Sequence, residues 1–445
     1  MLIPPPANQG RFSDMSPEEV ARNLLKKGEG LGREEPRRLE DELTVYNELI
    51  HGFWESESPE IQKLVAVAML NKAEAVHDQA TSSPYAEQID IYDSLLQRFG
   101  DNSSPVLHGS LAQAMFKRAD VFGWLPLPNL FEEIAGYEML IQRFWADSEL
   151  DVRECVAKAM VERARTLRRL EPPRLTDAIT SLEEMIRRFW ADVESSVRGL
   201  VLNALSLKAC WLSCDERPIE AIEACDEVIR YVQLNSNLES SSEFEAEALR
   251  RKGNAFLELE PPRLIEAIAL YDEVTERFGD TEDVSLLIEV ARAMLNKGTL
   301  YSEFDRPEEA CAVYDEIIAR FGKDMDEDLF LQKKASEAML QKGALYLELD
   351  RPEEAIALYD ELIEHFDGRW NMVNVFCALF NKGCALIDLE RFVEADAAYS
   401  NLIERYDGVR NRHKSFRNDE LQEIYEKAHD MKSQISSLKE KVITD

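Results

Sequence analysis

The segment DRPEEACAVYDEIIARFG occupies residues 305–322, and DRPEEAIALYDELIEHFDG begins 45 residues later, at Asp350. A helix-sized phrase repeated at that distance marks a stacked-repeat chain, since periods of roughly 20 to 50 residues belong to solenoids and related arrays. Within the phrase, Tyr314 is followed seven residues on by Phe321. The pair recurs as Tyr46/Phe53, Tyr92/Phe99, Tyr137/Phe144, Tyr271/Phe278, Tyr359/Phe366 and Tyr399/Tyr406, with Leu182/Phe189 and Cys225/Val232 as apolar substitutes. A second phrase precedes each copy, AMLNKG ending at Gly298 and AMLQKG at Gly343. Its small terminal residue returns as Gly28, Ala73, Ala119, Ala164, Ala209, Gly253, Gly298, Gly343 and Gly383, at gaps of 40 to 46 residues. Two independent anchors stay in step through nine copies.

Around Gly298, the residues Ala293, Met294, Leu295, Tyr301 and Phe304 recur at helical spacing. DRPEEA then breaks and restarts the helix: Asp305 can cap, Pro307 suits a first turn, and Glu308 and Glu309 favour the positive helix N-terminus. Ala310, Tyr314, Ile317 and Phe321 share one face of the second helix. Each repeat is therefore predicted to be an antiparallel helix hairpin. One hairpin cannot bury its own apolar stripe, and stacking the copies provides the core. A glycine inside a helix costs about 1 kcal/mol relative to alanine, so the recurring small residue predicts close helix approach, with Ala310 opposite Gly298 and the Tyr314 ring filling the space beside them.

Met294, Gly298, Tyr301, Ala310 and Tyr314 together resemble the tetratricopeptide repeat, over roughly residues 16–407. The family's common unit is about 34 residues, and the longer period here, about 44, resembles a bacterial-type variant. The surplus lies in stretches such as GKDMDEDLFLQKKASE, predicted to lengthen the first helix and add an acidic loop. Two hairpins carry extra turn residues, EPP at Glu171 and at Glu260, and the place of Ala310 is taken by Glu42, Gln88 and Glu133 in the first three copies. The resemblance implies an all-α, right-handed superhelical solenoid of about nine antiparallel hairpins. It also implies a non-catalytic scaffold or adaptor that binds a partner protein or peptide in a groove lined by the first helices. The alternative is a regulatory sensor whose array binds a short peptide or small ligand and changes shape.

The chain has 445 residues, with 52 Lys and Arg against 86 Asp and Glu, a net charge of −34. Such an excess of acid argues against nucleic-acid phosphates as partners. It describes either a solvated acidic face or a surface for a basic partner. The N-terminal MLIPPPANQGRF lacks the regions of a signal peptide, and no apolar run reaches membrane-spanning length. A cytoplasmic chain is expected, with residues 1–15 a flexible Pro-rich leader and order starting at Ser16, where SPEE forms a capping box. Seven cysteines without C-x-x-C spacing suggest reduced thiols.

No H-E-x-x-H, Gly-rich phosphate loop or G-x-S-x-G element occurs, and neither an enzyme nor a cofactor is expected. Cys210, Cys214 and Cys225 lack a nearby fourth ligand, so packing is expected in place of a metal. One ladder stands out. The residue before the small anchor is basic in all nine copies: Lys27, Lys72, Arg118, Arg163, Lys208, Lys252, Lys297, Lys342 and Lys382. The residue after the second-helix anchor is acidic in seven: Asp93, Glu138, Glu183, Asp226, Asp272, Asp315 and Asp360. It is either a charged track for a ligand or a structural ladder in which Lys stems pack between hairpins and meet carboxylates.

By the groove positions that the resemblance implies, Lys158 and Arg165 face the ligand, and Arg168 and Arg169 lie one turn on. They form a basic island that either takes an acidic segment or phosphate or pairs with neighbouring acids. A carboxylate clamp is partly matched by Arg250, Asn254 and Asn296, although the third repeat offers Glu337 and Gln341 where the clamp has basic groups. Finally, GVRNRHKSFRND reads as a basic linker over residues 408–418. Leu421, Ile424, Ala428, Met431, Ile435, Leu438 and Val442 then follow a helical stripe over 419–445. That helix is expected to cap the ninth hairpin, making a monomer the expected state, although the spacing also suits a short coiled coil and a homodimer.

Overall fold

The computed structural model describes residues 15–78, 84–102, 104–322, 328–366, 372–412 and 418–444, with side chains described as far as residue 435 except that of residue 412. The described residues form α-helices, one short 3₁₀ turn at Pro105–Leu107, and no strand. They fall into two compact units, residues 1–211 and 212–445, with the boundary inside helix α9 (Ser195–Cys214). The first unit pairs α1 (Pro17–Gly32) with α2 (Leu39–Phe53), α3 (Pro59–His77) with α4 (Pro84–Phe99), α5 (His108–Trp124) with α6 (Leu130–Phe144), and α7 (Leu150–Arg169) with α8 (Leu175–Phe189). The second begins with α10 (Pro218–Leu234) and pairs α11 (Ser241–Leu257) with α12 (Leu264–Phe278), and α13 (Val284–Glu303) with α14 (Pro307–Phe321). It continues with α15 (Leu329–Glu348) on α16 (Pro352–His365), α17 (Met372–Asp388) on α18 (Phe392–Arg412), and α19 (Asp419–Thr444) last. The helix at α18 runs on through Arg412, so the first half of the expected 408–418 linker is helical. Residues 1–14 and 413–417 lie outside the described residues.

Within each unit, α9 aside, a helix packs on its neighbour in sequence, and the first helices α1, α3, α5 and α7, like α11, α13, α15 and α17, also pack on one another in that order. At the N-terminus the capping box forms as expected. Ser16 Oγ accepts from the Glu19 N–H at 3.2 Å, and Glu19 Oε2 accepts from the Ser16 N–H at 2.8 Å.

The DRPEEA turn works differently from the expectation. Asp305 does not cap the second helix: it follows the end of α13 in the left-handed region at φ 56°, and Arg306 holds the N-cap position. The Arg306 N–H returns to the Tyr301 carbonyl at 2.9 Å, the six-to-one bond of a Schellman ending. Asp350 and Glu390 repeat this with φ 56° and 58°. The three-residue reversal between the helices needs one left-handed residue, here an acidic, unbranched one. Arg306 then bonds Glu309 at 2.6 Å and stacks 4.4 Å over the Tyr301 ring, and Arg351 does the same with Glu354 and, at 4.5 Å, with Tyr346.

The small anchor makes room for the tyrosine itself. A Cβ on Gly343 would sit 2.4 Å from the Tyr359 ring, and one on Gly298 2.6 Å from that of Tyr314. Ala310, Ala355 and Ala395 are fully buried opposite. In the third hairpin the space is shared the other way round, with Gly136 against Ala119. The odd residues of the first three copies keep the same register. Glu42, Gln88 and Glu133 are buried, and each finds a polar partner: Arg37 at 2.8 Å, the Ala73 carbonyl at 3.0 Å and Thr166 at 2.9 Å.

The charge ladder runs from each hairpin to the next. Arg118 meets Asp93 at 2.5 Å, Lys208 meets Glu183 at 3.2 Å, Lys252 meets Asp226 at 2.6 Å and Lys342 meets Asp315 at 2.5 Å, while Lys297 and Lys382 bond Asp272 and Asp360. Arg163 departs from the pattern, turning to Ser181 and Glu184 in its own hairpin. A second ladder had no counterpart in the sequence reading. Arg98, Arg143 and Arg188 donate to the Trp54, Gly100 and Trp145 carbonyls of the preceding hairpin, and Arg320 to that of Gly279. Each neutralises a helix C-terminus.

Because the acids of the charge ladder stay solvated, each rung sets register more than stability. In a double-mutant cycle of Lys342→Met and Asp315→Asn, followed by urea unfolding, a coupling of about 0.3–1 kcal/mol is expected. A coupling indistinguishable from zero would remove Lys342 and Asp315 from the account of register.

Candidate binding face

The first helices carry the sequence-predicted residues. On α7, Lys158 lies 3.6 Å from Glu154, one turn away on the same helix. Arg165 bonds Glu162 and reaches Asn203 of α9 at 3.1 Å. The Arg168 guanidinium lies 5.2 Å from the Trp211 ring centroid, a cation–π contact. Arg169 crosses to the third hairpin, with Nη1 3.6 Å from Glu133 and Nη2 3.4 Å from the Gly123 carbonyl. The island is therefore brought together on one helix, with each of its charges already set against an acid or a ring.

Glu133 is the unusual partner. It is buried where other hairpins place alanine, and its carboxyl is pushed above the usual carboxylate range by that burial, an effect opposed by the Thr166 hydroxyl and by Arg169. A Cβ on Gly123 would fall 2.7 Å from its carboxylate, so the glycine makes the space for it.

In the second unit, Arg250 on α11 is buried and its Nε donates to Glu289 of α13 at 2.8 Å. The partial clamp thus has its guanidinium already on an internal carboxylate. Asn254 Oδ1 accepts from the Tyr271 hydroxyl at 2.6 Å and from Asn296 Nδ2 at 2.7 Å. One hairpin further, Thr299 and Gln341 meet at 3.0 Å. A polar row so formed runs across α11, α13 and α15. Among the described residues, the Asn254 NH₂ and the Asn296 Oδ1 have no protein partner.

Cys225 is buried, and burial pushes its thiol up to about 12, the behaviour of a packed cysteine. Among the described residues no three His, Cys, Asp or Glu side chains are grouped to hold a metal, and no helix is long and apolar enough to cross a membrane. One surface was not anticipated. At the turn of the third hairpin, Trp124, Leu127 and Phe131 are 67, 87 and 74% exposed. Here Asn129 is the N-cap in place of arginine. The run WLPLPNLF carried the signal, but its apolar residues read equally well as core.

Residues 292–324 and 337–368 match the tetratricopeptide repeat family. Both stretches begin midway along a 20-residue first helix, α13 or α15, so the surplus of the long period lies largely in the helix N-terminal half. No curated protein sequence matches the chain. Among solved structures, the apo form of RapI is similar at 10% identity and a TM-score of 0.49, with 94% of this chain and 99% of that one covered. An engineered protein is similar at 16% identity and 0.46, covering 94% and 95%. The apo form of the quorum sensor NprR from B. thuringiensis is similar at 12% identity and 0.41, covering 93% and 99%. Residues 292–324 and 337–368 are thus tetratricopeptide repeats, and the same small-residue and aromatic anchors run through the other copies of the chain.

Proposed function

We propose that the chain is a non-catalytic scaffold that takes a segment of a partner protein along its first helices. The match of two hairpins to the tetratricopeptide repeat carries this reading, because stacked repeats of this kind present an extended helix-lined face that a single hairpin lacks. Each unit offers one feature of its own that suits such a segment. The free amide donor of Asn254 and acceptor of Asn296 suit an extended peptide backbone. The island of Lys158, Arg165, Arg168 and Arg169 suits an acidic stretch, since the partly exposed pairs of Lys158 with Glu154 and of Arg165 with Glu162, worth about 0–1 kcal/mol each, exchange readily for a partner's carboxylates.

The test is affinity capture with the tagged full chain from its source lysate, followed by mass spectrometry. One near-stoichiometric partner is expected. The double variant Arg165→Glu/Arg168→Glu should recover it about tenfold less well, a loss of about 1.4 kcal/mol, while the helical melt is unchanged. Equal recovery with an intact fold would take the island out of the interface, and the absence of any stoichiometric partner would count against the scaffold itself.

A further inference from the structure

Besides the rung that Arg163 leaves, the charge ladder has a rung whose lysine lacks its acid. Between the first and second hairpins the basic member is present as Lys72, but the residue after the second-helix anchor Tyr46 is Asn47 where other hairpins carry an acid. Among the described residues, Lys72 has no ion-pair or hydrogen-bond partner. A cavity of about 460 Å³ opens at this junction. That volume lies within the range of small-molecule sites, roughly 300–1,000 Å³. Ile50 and Trp54 from α2, Met69 from α3 and Ile91 from α4 give it a largely apolar wall. Glu87 and Asp90, one turn apart on α4, add two carboxylates, also without ion-pair partners, and His51 lies at its edge.

We propose that this cavity binds a zwitterion with an apolar body, of the class of a free aliphatic or aromatic α-amino acid. The ammonium of Lys72 stands where six other rungs receive a carboxylate, so it would receive the ligand's. The ligand's ammonium would face Glu87 and Asp90, and its side chain would lie against Trp54 and the aliphatic wall. A simple carboxylic acid would satisfy Lys72 but meet repulsion from two acids, and a simple amine would leave Lys72 unpaired. Only the zwitterion makes all three charges favourable. This site is on the side of the second helices, and it goes beyond the protein partner proposed for the first helices.

The ladder itself supplies the decisive variant. Asn47→Asp installs the residue type found at this place in five other hairpins, and should close the rung internally without harm to the fold. Titration calorimetry on the full chain would use L-phenylalanine and L-leucine as probes. At least one is expected to bind, about tenfold or more tighter than its analogue lacking the ammonium (3-phenylpropionate) or lacking the carboxylate (phenethylamine). Asn47→Asp and Lys72→Met should each weaken that binding by about tenfold or more, with the melting temperature of Asn47→Asp not lowered. No binding of either amino acid up to about 10 mM would overturn the proposal. So would unchanged binding by Asn47→Asp, or 3-phenylpropionate binding as tightly as phenylalanine.

Discussion

Deleting residues 419–445 is expected to uncover α18 and send the chain into aggregates. Helix α19 packs on both α17 and α18, and Leu421, Ala428 and Ile435 are buried in that contact. Tyr425 stacks on Tyr406 with ring centroids 4.3 Å apart. Lys432 Nζ reaches Ser400 Oγ at 2.6 Å, and Ser400 follows the ninth anchor Tyr399. The terminal helix thus takes the place of a tenth first helix and continues the ladder by one rung, while its outward residues Glu426, Lys427, His429 and Asp430 are polar. Removing it forfeits the burial of a leucine and an isoleucine, at roughly 1.5–3 kcal/mol each, and exposes Leu402 and Tyr406. Sedimentation and dye binding of the truncated chain should report aggregation, and amide exchange should quicken in α17 and α18 first. Full-length chain that sediments as a dimer, and becomes a soluble monomer on truncation, would show the helix to be a dimer element.

Tyr359→Ala is expected to cost about 3–5 kcal/mol, the range for emptying a buried aromatic site. The ring is fully buried on Gly343, so no neighbouring chain can swing in to fill the void. Gly343→Val should also destabilise, by about 1–3 kcal/mol of overpacking, because its Cβ would lie inside contact distance of that ring. The two losses should not add. With the ring gone, the valine has space to occupy, and the double variant should be more stable than the sum predicts, as expected for residues that share one volume. Stacked repeats open locally, so amide exchange across α15 and α16 is the proper readout beside urea unfolding. Strict additivity would mean that glycine and tyrosine do not compete for the same space.

The hairpin, its ninefold recurrence and the identity of its anchors were legible in the order of residues alone. These are local matters: 3.6-residue periodicity, a Pro at the first turn, and small and aromatic residues at fixed offsets appear in the chain whatever surrounds them. That order also disclosed both members of the charge ladder, but not that the lysine of one hairpin reaches the acid of the hairpin before it. Residues some 22 to 27 apart meet only through the angle at which hairpins stack. Tertiary structure alone decided that Asp305 takes the left-handed turn position and leaves the cap to Arg306, since a capping acid and a C-terminal αL acid read alike in sequence. It alone turned Arg250 inward to Glu289 and surrounded each residue of the basic island with partners, because a guanidinium two helices from a carboxylate has no local signature of that contact. The vacancy beside Lys72 lay in the sequence as a single asparagine, and only the stacking of α2, α3 and α4 made it a cavity.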